Sequence, residues 1–478
     1  MTDSWDGEDR PARGSGKRQR GEAPNAIADC ILASNRLVTD ATGTVYRYED
    51  GPWRELPDIT LLSMAMAADG RRKSTSRRRT EIVSYLRAAT HEPGLTWGRV
   101  GNHEIGCTNG ILNVRNFTLR PHDPEHYLER VLPWNWDPNV DCPLWRDFLD
   151  DSFGDHEGGE AAALQEFFGY IAMSHACYKK ALLLYGPTNT GKSVVEKVAT
   201  MLVGAEACCT LSVEDMDDPR RRAVIKGKAL NTMTELPAEA MIADSGFKTM
   251  VSTEDPVLLD QKYKVAERYV PTAKHLIACN TLPRLSDRTE ATFGRLLIVP
   301  FKRMVEEGRQ DPELPDKLRS ELPGILVWAA LGARRLDATQ GRWSSVPAAA
   351  ELLARYRDDI NPVAAFVREC CVEMPGWGHS LRALNDAFNK MGYPGRRRTS
   401  TREFGQMARA AFGDHVVKDV KFVEPGTRRR RFTLKALVGW KLEAFDLPDG
   451  VEVPAVLATS DVPEVDAVSP PPPHDPLE

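Results

Sequence analysis

The sequence predicts an α/β protein built around a phosphate-binding loop, and three observations carry that class. Gly186-Pro187-Thr188-Asn189-Thr190-Gly191-Lys192-Ser193 has the glycine, lysine and hydroxyl spacing of such a loop. The apolar run Ala181 to Tyr185 enters it and the helical stretch Val194 to Ala199 leaves it, giving strand, turn and helix in order. Further apolar runs within 228–235, 275–279 and 296–301 read as a second, third and fourth strand.

The loop predicts a nucleotide ligand, ATP or GTP. Glycine lets the backbone turn its N–H groups toward a polyphosphate, Lys192 can reach the β and γ phosphates, and the Ser193 hydroxyl can hold Mg2+. All eight residues from Gly186 to Ser193 are therefore candidate ligand contacts.

A chain of 478 residues has room for several domains and a sizeable core. Its 42% hydrophobic and 27% charged content is that of a globular protein, and no run approaches the roughly 20 apolar residues of a membrane span. The polar, basic start lacks a signal-peptide segment, so a cytoplasmic location is expected. Nine cysteines without a Cys-x-x-Cys site predict reduced thiols rather than a disulfide framework. The net charge of -5 conceals basic runs at 13–20, 71–79, 396–398 and 428–431, so local patches decide whether a polyanion can dock.

Residues 1–24 read as a disordered basic arm. Val45 to Tyr48 and Trp53 to Leu56, joined through Asp50-Gly51, form a predicted hairpin. Helical patterns cover 59–68 and 79–89, with the basic link 71–78 between them as a solvated loop. Asn109 to Val114 is a turn entering a strand. His103 with Cys107, and His122 with His126, have i,i+4 spacing, but nothing completes a compact zinc ligand set. Helices return from 143–149 to 164–170, with a boundary near 151–159. Residues 25–150 are thus assigned to an accessory domain and 151–345 to an ATPase domain.

Glu235, at the tip of the second strand, is the expected catalytic acid, polarising water or supporting Mg2+ through its water shell. Thr234 stands before it where a first acid is usual. Asn280, at the tip of the third strand, can orient that water and sense the γ phosphate. Arg295, just before the fourth, can cross a subunit interface to a neighbour's ATP. Between the second and third strands, 247–256 and 260–264 alternate lysine with aromatics in a turn-rich stretch suited to gripping single-stranded phosphates. Lys248, Lys262 and Lys264 are the candidate DNA contacts.

Residues 312–340 are predicted helical with a break at Gly332, and 348–371 form a further helical region. Helices at 380–388 and 400–409, the second capped by Ser400 or Thr401, precede strands at 416–423 and 430–434, a pattern that suggests a winged helix within 346–445. Such a module binds duplex DNA or protein. Residues 446–478 read as a disordered acidic, proline-rich tail.

Taken together these segments resemble the phage and plasmid primase-helicase family of the poxvirus type, whose motor is that of superfamily 3 helicases, relatives of the AAA+ ATPases. The resemblance covers about 25–440. It rests on Trp53, Asn109-Gly110-Ile111-Leu112, Pro121-His122, Asp137-Pro138 and Cys142-Pro143-Leu144-Trp145, and in the motor on Gly186 to Ser193, Glu235, Lys248, Asp255, Lys262, Lys264 and Asn280-Thr281-Leu282-Pro283. It implies an AAA+-like core, a mixed α+β amino-terminal domain and a carboxy-terminal winged helix. It also implies a homo-oligomeric, hexameric ring with ATP and Mg2+ between neighbours and single-stranded DNA in the channel. Lys192 and Ser193 would hold phosphate and magnesium, Glu235 would activate water, Asn280 would sense the γ phosphate and Arg295 would act in trans. Gly294 departs from the family's frequent Arg-Arg pair, and Thr253 replaces its usual glycine. Too little chain precedes the first matching domain for a primase fold. The expected function is therefore a helicase acting on forked or duplex DNA in a bacterial host cell, with any primase on a separate protein. The alternative is an origin-binding or helicase-loading module that assembles on DNA without unwinding it.

Overall fold

The computed structural model describes residues 22–442 apart from 71–73, 235–240, 243, 253–254, 263–264, 286–291, 293, 307, 309, 392–397, 413–416 and 424–430. Most of the basic arm, the acidic tail, Glu235 and Lys264 lie outside the described residues.

Helix α1 (Pro24–Ser34) leads into a three-stranded antiparallel sheet of β1 (Leu37–Thr39), β2 (Val45–Tyr48) and β3 (Trp53–Leu56). The β2–β3 turn falls at Asp50-Gly51 as expected, with φ of 46° and 147°. Helices α2 (Asp58–Ala68) and α3 (Ser76–Ala89) bury Leu61, Ile82 and Leu86 against Ile27 and Ile31. The basic link is shorter than the sequence pattern implies. Thr75 accepts from Arg78 N at 3.3 Å and starts α3 early, so Arg77 and Arg78 are helical and pair with Glu81 and Asp69.

A second small sheet, β4 (Glu104–Cys107), β5 (Gly110–Asn113) and β6 (Thr118–Arg120), precedes α4 (Pro143–Phe153) and α5 (Gly159–Ala172). Ile105, Leu112, Trp145 and Leu149 belong to the same hydrophobic core as the central sheet. Glu321 ties this region down, its carboxylate accepting from Leu144 N and Trp145 N at 3.0 and 2.9 Å in the first turn of α4.

The central sheet is parallel, with strand order β15-β7-β13-β9-β8. In chain order these are β7 (Ala181–Tyr185), β8 (Cys208–Cys209), β9 (Leu230–Met233), β13 (Lys274–Cys279) and β15 (Leu296–Pro300). Helix α6 (Lys192–Val203) follows β7. Between β9 and β13 come β10 (Met241–Ile242), α7 (Asp244–Ser252) and an antiparallel hairpin of β11 (Val257–Leu259) and β12 (Glu267–Tyr269); β14 (Arg284–Leu285) follows β13 and pairs with β10. Lys274, at the start of β13, is 1% exposed; its Nζ donates to Met173 O at 2.6 Å and lies 5.0 Å from the centre of the Tyr170 ring. Burial pushes its pKa well below the ordinary lysine value.

After β15 come α8 (Leu314–Arg319) and α9 (Leu322–Ala338). Gly332 does not break α9. It lies against the backbone of Gln165 and Glu166, as Gly169 lies against Ala329 and Ala333, so the two glycines let α5 and α9 touch main chain to main chain. The next helical region is also two helices, α10 (Pro347–Ile360) and α11 (Pro362–Cys370), because Pro362 cannot continue the first and Asn361 caps the second through Ala364 N at 3.2 Å. Cys371 then opens a strand the sequence pattern missed. The carboxy-terminal unit runs β16 (Cys371–Ser380), α12 (Leu381–Met391), α13 (Thr401–Phe412), β17 (Val417–Val423) and β18 (Arg431–Leu442), with antiparallel order β16-β18-β17. Ser400 caps α13 in a reciprocal box with Glu403.

Candidate active site

The loop from Gly186 to Ser193 connects the carboxyl end of β7 to the amino end of α6, where unpaired helix N–H groups point outward. Two glycines make this path possible. Gly186, at φ 155°, runs against the Phe301 backbone, and Gly191, at φ 97°, would place a Cβ 2.9 Å from the Phe148 ring. Asn189 adopts φ 58°, and its carbonyl accepts from Val305 N at 2.9 Å. Thr190 is buried and donates to Pro187 O at 3.0 Å, pinning the arch, whereas Pro187, Thr188, Asn189 and Ser193 are exposed. Lys192 folds back onto the loop, donating to Gly186 O at 2.7 Å and Pro187 O at 2.5 Å. Partial burial lowers its pKa. An incoming phosphate would offer this ammonium stronger, charged acceptors than two carbonyls.

The strand order sets what faces the loop. β13 lies directly beside β7, in the register Cys279 with Tyr185, and Gly186 N donates to Cys279 O at 3.2 Å. Asn280 is therefore the first residue past the strand tip, exposed and level with the start of the loop. β9 lies on the far side of β13, with Met233 level with Ile277, and exposed Thr234 continues toward the same edge. Burial of the adjacent Cys279 thiol pushes its pKa up to about 12.

Arg295 stands apart from this edge. It precedes Leu296, which pairs with Ala181, and its carbonyl accepts from Ala181 N at 2.8 Å, so it occupies the opposite end of β7 from the loop. A five-residue strand puts ~16 Å between them. That separation exceeds the length of an arginine side chain, so Arg295 does not reach the loop of its own chain.

Of the DNA-contact candidates, Lys248 is half-buried on α7, and Lys262 is exposed in the turn of the β11–β12 hairpin. Sequence reading took this stretch for a loop; its flanking strands, three residues each, are too short to show a periodicity. The hairpin is held along its strands and at the start of its turn by Arg220 with Asp260 (3.0 Å), Lys226 with Glu267 (2.6 Å) and Arg222 Nε to Leu258 O (2.8 Å). α7 is tied to the sheet through His275, whose Nδ1 accepts from Asn231 at 3.1 Å and whose Nε2 donates to Met250 O at 3.3 Å. Burial lowers the His275 pKa to about 4, which keeps it neutral and able to do both. A cleft of about 970 Å³ opens beside the hairpin, lined among others by Trp97, Arg130, His175 and Arg268 and by none of the loop residues.

The spaced histidines go to local bonds: His122 Nε2 meets Cys107 O at 2.8 Å and His126 faces Arg120 at 2.7 Å. Among the described residues, one group, Asp150, Asp155 and His156, brings ligand atoms within 4.8 Å of one another, and His156 there already pairs with Asp150 at 2.8 Å. Sequence reading also missed the segment after β15, which runs along the loop.

The five-stranded parallel sheet makes this a mixed α/β protein, and its strand order and loop are compatible with a P-loop-like core. Residues 36–154 match the family model described as D5 N terminal like, and residues 184–295 match a family of unknown function, DUF5906. The chain is 24% identical over 240 residues to "Putative helicase 184R" of Invertebrate iridescent virus 6 and 22% identical over 232 residues to "Putative helicase 121R" of Invertebrate iridescent virus 3. These matches cover 46% and 45% of this chain but 24% of each viral protein, so the chain spans about a quarter of their length. It is also 25% identical over 151 residues to the mitochondrial protein ymf21 of Marchantia polymorpha, covering 29% of this chain and 83% of that one. A solved structure, the apo carboxy-terminal region of NrS-1, superposes over 87% of this chain and 99% of its own, with a TM-score of 0.49 and 10% identity. The resemblance to the phage-type primase-helicase family, read first from the motifs, is borne out by the D5-type domain and the two viral relatives.

Proposed function

We propose that this protein is an ATP-dependent DNA helicase of phage or plasmid replication, working as a hexameric ring that couples ATP hydrolysis to translocation on single-stranded DNA. The observation that carries this reading is the strand order. β13 stands between β7 and β9, so the phosphate loop faces Asn280 and the tip bearing Thr234, while the hairpin with Lys262 is inserted between those two strands. In this reading Lys192 and the start of α6 bind the phosphates, Glu235 polarises the attacking water and Asn280 orients it. The exposed Ser193 hydroxyl, at the start of α6, fits an Mg2+ ligand, with Glu235 supporting the ion through its water shell; the ion would neutralise phosphate charge. Arg295 of one subunit serves the neighbour's ATP, and Lys248, Lys262 and Lys264 hold the strand. The order helix, strand, helix, helix, strand, strand, with β16 paired to β18, supports a winged helix at the carboxy-terminal end that meets duplex or forked DNA.

The test is ATP hydrolysis by wild-type and Lys192→Ala protein with and without single-stranded DNA, alongside light scattering. The expected result is DNA-stimulated turnover by a ring-sized species, lost in Lys192→Ala. The double variant Lys262→Ala, Lys264→Ala is expected to keep basal turnover and lose its stimulation. A monomer that hydrolyses ATP with no response to DNA would overturn the motor reading.

A further inference from the structure

The phosphate loop fixes one end of a nucleotide, and the strand tips fix its direction. If the γ phosphate faces Thr234 and Asn280 on the β13 and β9 side of β7, the nucleoside must leave on the other side, where β15 lies. That side carries a built wall. Past β15, Phe301 N donates to Tyr185 O at 2.6 Å and Val305 N to Asn189 O at 2.9 Å, so residues 301–305 run along the outer arm of the loop. Met304 is 63% exposed there and Val305 38%, two apolar side chains standing in water beside a polar loop. The carboxyl end of α4 forms the other flank. Phe148 closes over Gly191, Phe153 packs on Phe301 with ring centres 4.8 Å apart, and the Arg303 guanidinium lies over Gly154.

We propose that Met304 and Val305 are the seat for the purine base of the bound nucleoside triphosphate. The inference rests on the ATPase reading and adds to it where the base goes. A flat aromatic ring would cover both apolar side chains, and the polarizable Met304 thioether suits its face. The hydrogen bond from Val305 N to Asn189 O fixes this seat to the loop, so base and phosphates are held at a set separation.

The experiment measures binding of a non-hydrolysable ATP analogue and of inorganic tripolyphosphate by calorimetry, in the full chain with Mg2+. Met304→Asp is expected to weaken the ATP analogue on the order of tenfold while leaving tripolyphosphate within about twofold, and Met304→Leu to bind both as wild type does. Lys192→Ala is expected to weaken both ligands. If Lys192→Ala changes neither, the phosphate-site reading itself fails. If Lys192→Ala weakens both but Met304→Asp leaves the ratio of the two affinities unchanged, the base sits elsewhere and this inference is overturned. Met304 is exposed, so its substitution removes no core contact, and an unchanged melting temperature checks that the variant is folded.

Discussion

Gly186→Ala tests whether the first residue of the phosphate loop is fixed by its contact with the strand beside it. At φ 155° the new residue is strained, and its Cβ would fall on the Phe301 carbonyl, with the Phe301 carbon at 3.0 Å and Cβ at 3.1 Å. Phe301 cannot easily retreat: it is 1% exposed, its N–H is bonded to Tyr185 O, and its ring packs on Phe153. The loop must therefore give, by something on the order of 1 Å, a misplacement that costs about 100-fold in rate where geometry limits chemistry. That is about 2.7 kcal/mol in activation free energy. The assay is steady-state ATP hydrolysis of Gly186→Ala against wild type, with Lys192→Ala as the zero, and a melting curve to show that the sheet survives. Turnover within about threefold of wild type at unchanged melting temperature would refute the claim that the Phe301 contact sets the loop.

Three further outcomes are expected. Arg295→Ala should bind nucleotide normally yet hydrolyse it poorly, and mixing it with Lys192→Ala should restore part of the turnover, because each variant supplies what the other lacks across an interface; no recovery in mixed oligomers would count against a trans role. Gly332→Leu should lower the melting temperature by several degrees, since its side chain would have to part α9 from the Gln165 backbone, and a neutral result would mean the helices can separate freely. Lys274→Met should gain stability relative to wild type, and the gain should be pH-dependent. The folded-state pKa of Lys274 is depressed, so the unfolded chain binds the extra proton; the penalty is full below the folded value and fades as pH rises toward the ordinary lysine range, by up to about 1.4 kcal/mol per pH unit. A difference between the two proteins that stays flat from neutral to alkaline pH would contradict burial of that ammonium.

Four of the five strands of the central sheet, β7, β9, β13 and β15, were legible as short runs rich in apolar residues, and buried parallel strands read that way, whereas the two-residue β8 is too short to show a pattern. The β2–β3 turn was legible from Asp50-Gly51, and of the two cap candidates, Ser400 and Thr401, it is Ser400 that caps α13. What escaped has a common cause. Gly332 looks like a helix breaker when only its own helix is considered, and becomes a packing residue once Gln165 lies against it. β16 follows a helix without a turn signal, and its pairing with β18 joins segments more than fifty residues apart, which no local pattern encodes. Likewise nothing in Met304 or Val305 announces a neighbour of the phosphate loop; the hydrogen bond to Asn189 exists only because β15 lies beside β7.

The burial of α4 bears on how this chain can be taken apart. Trp145 stacks on Phe148 at 5.2 Å and meets Phe168 and Trp328 at 5.5 Å each, all in the interior that supports the phosphate loop. A fragment cut at residue 151 would carry the whole central sheet and its loop and still lack Trp145, Phe148 and Leu149, leaving Trp328 and the Glu321 carboxylate without their α4 partners. Any fragment meant to keep the central sheet folded has to begin upstream of Pro143, so α4 behaves as scaffolding for the sheet although it precedes every one of its strands.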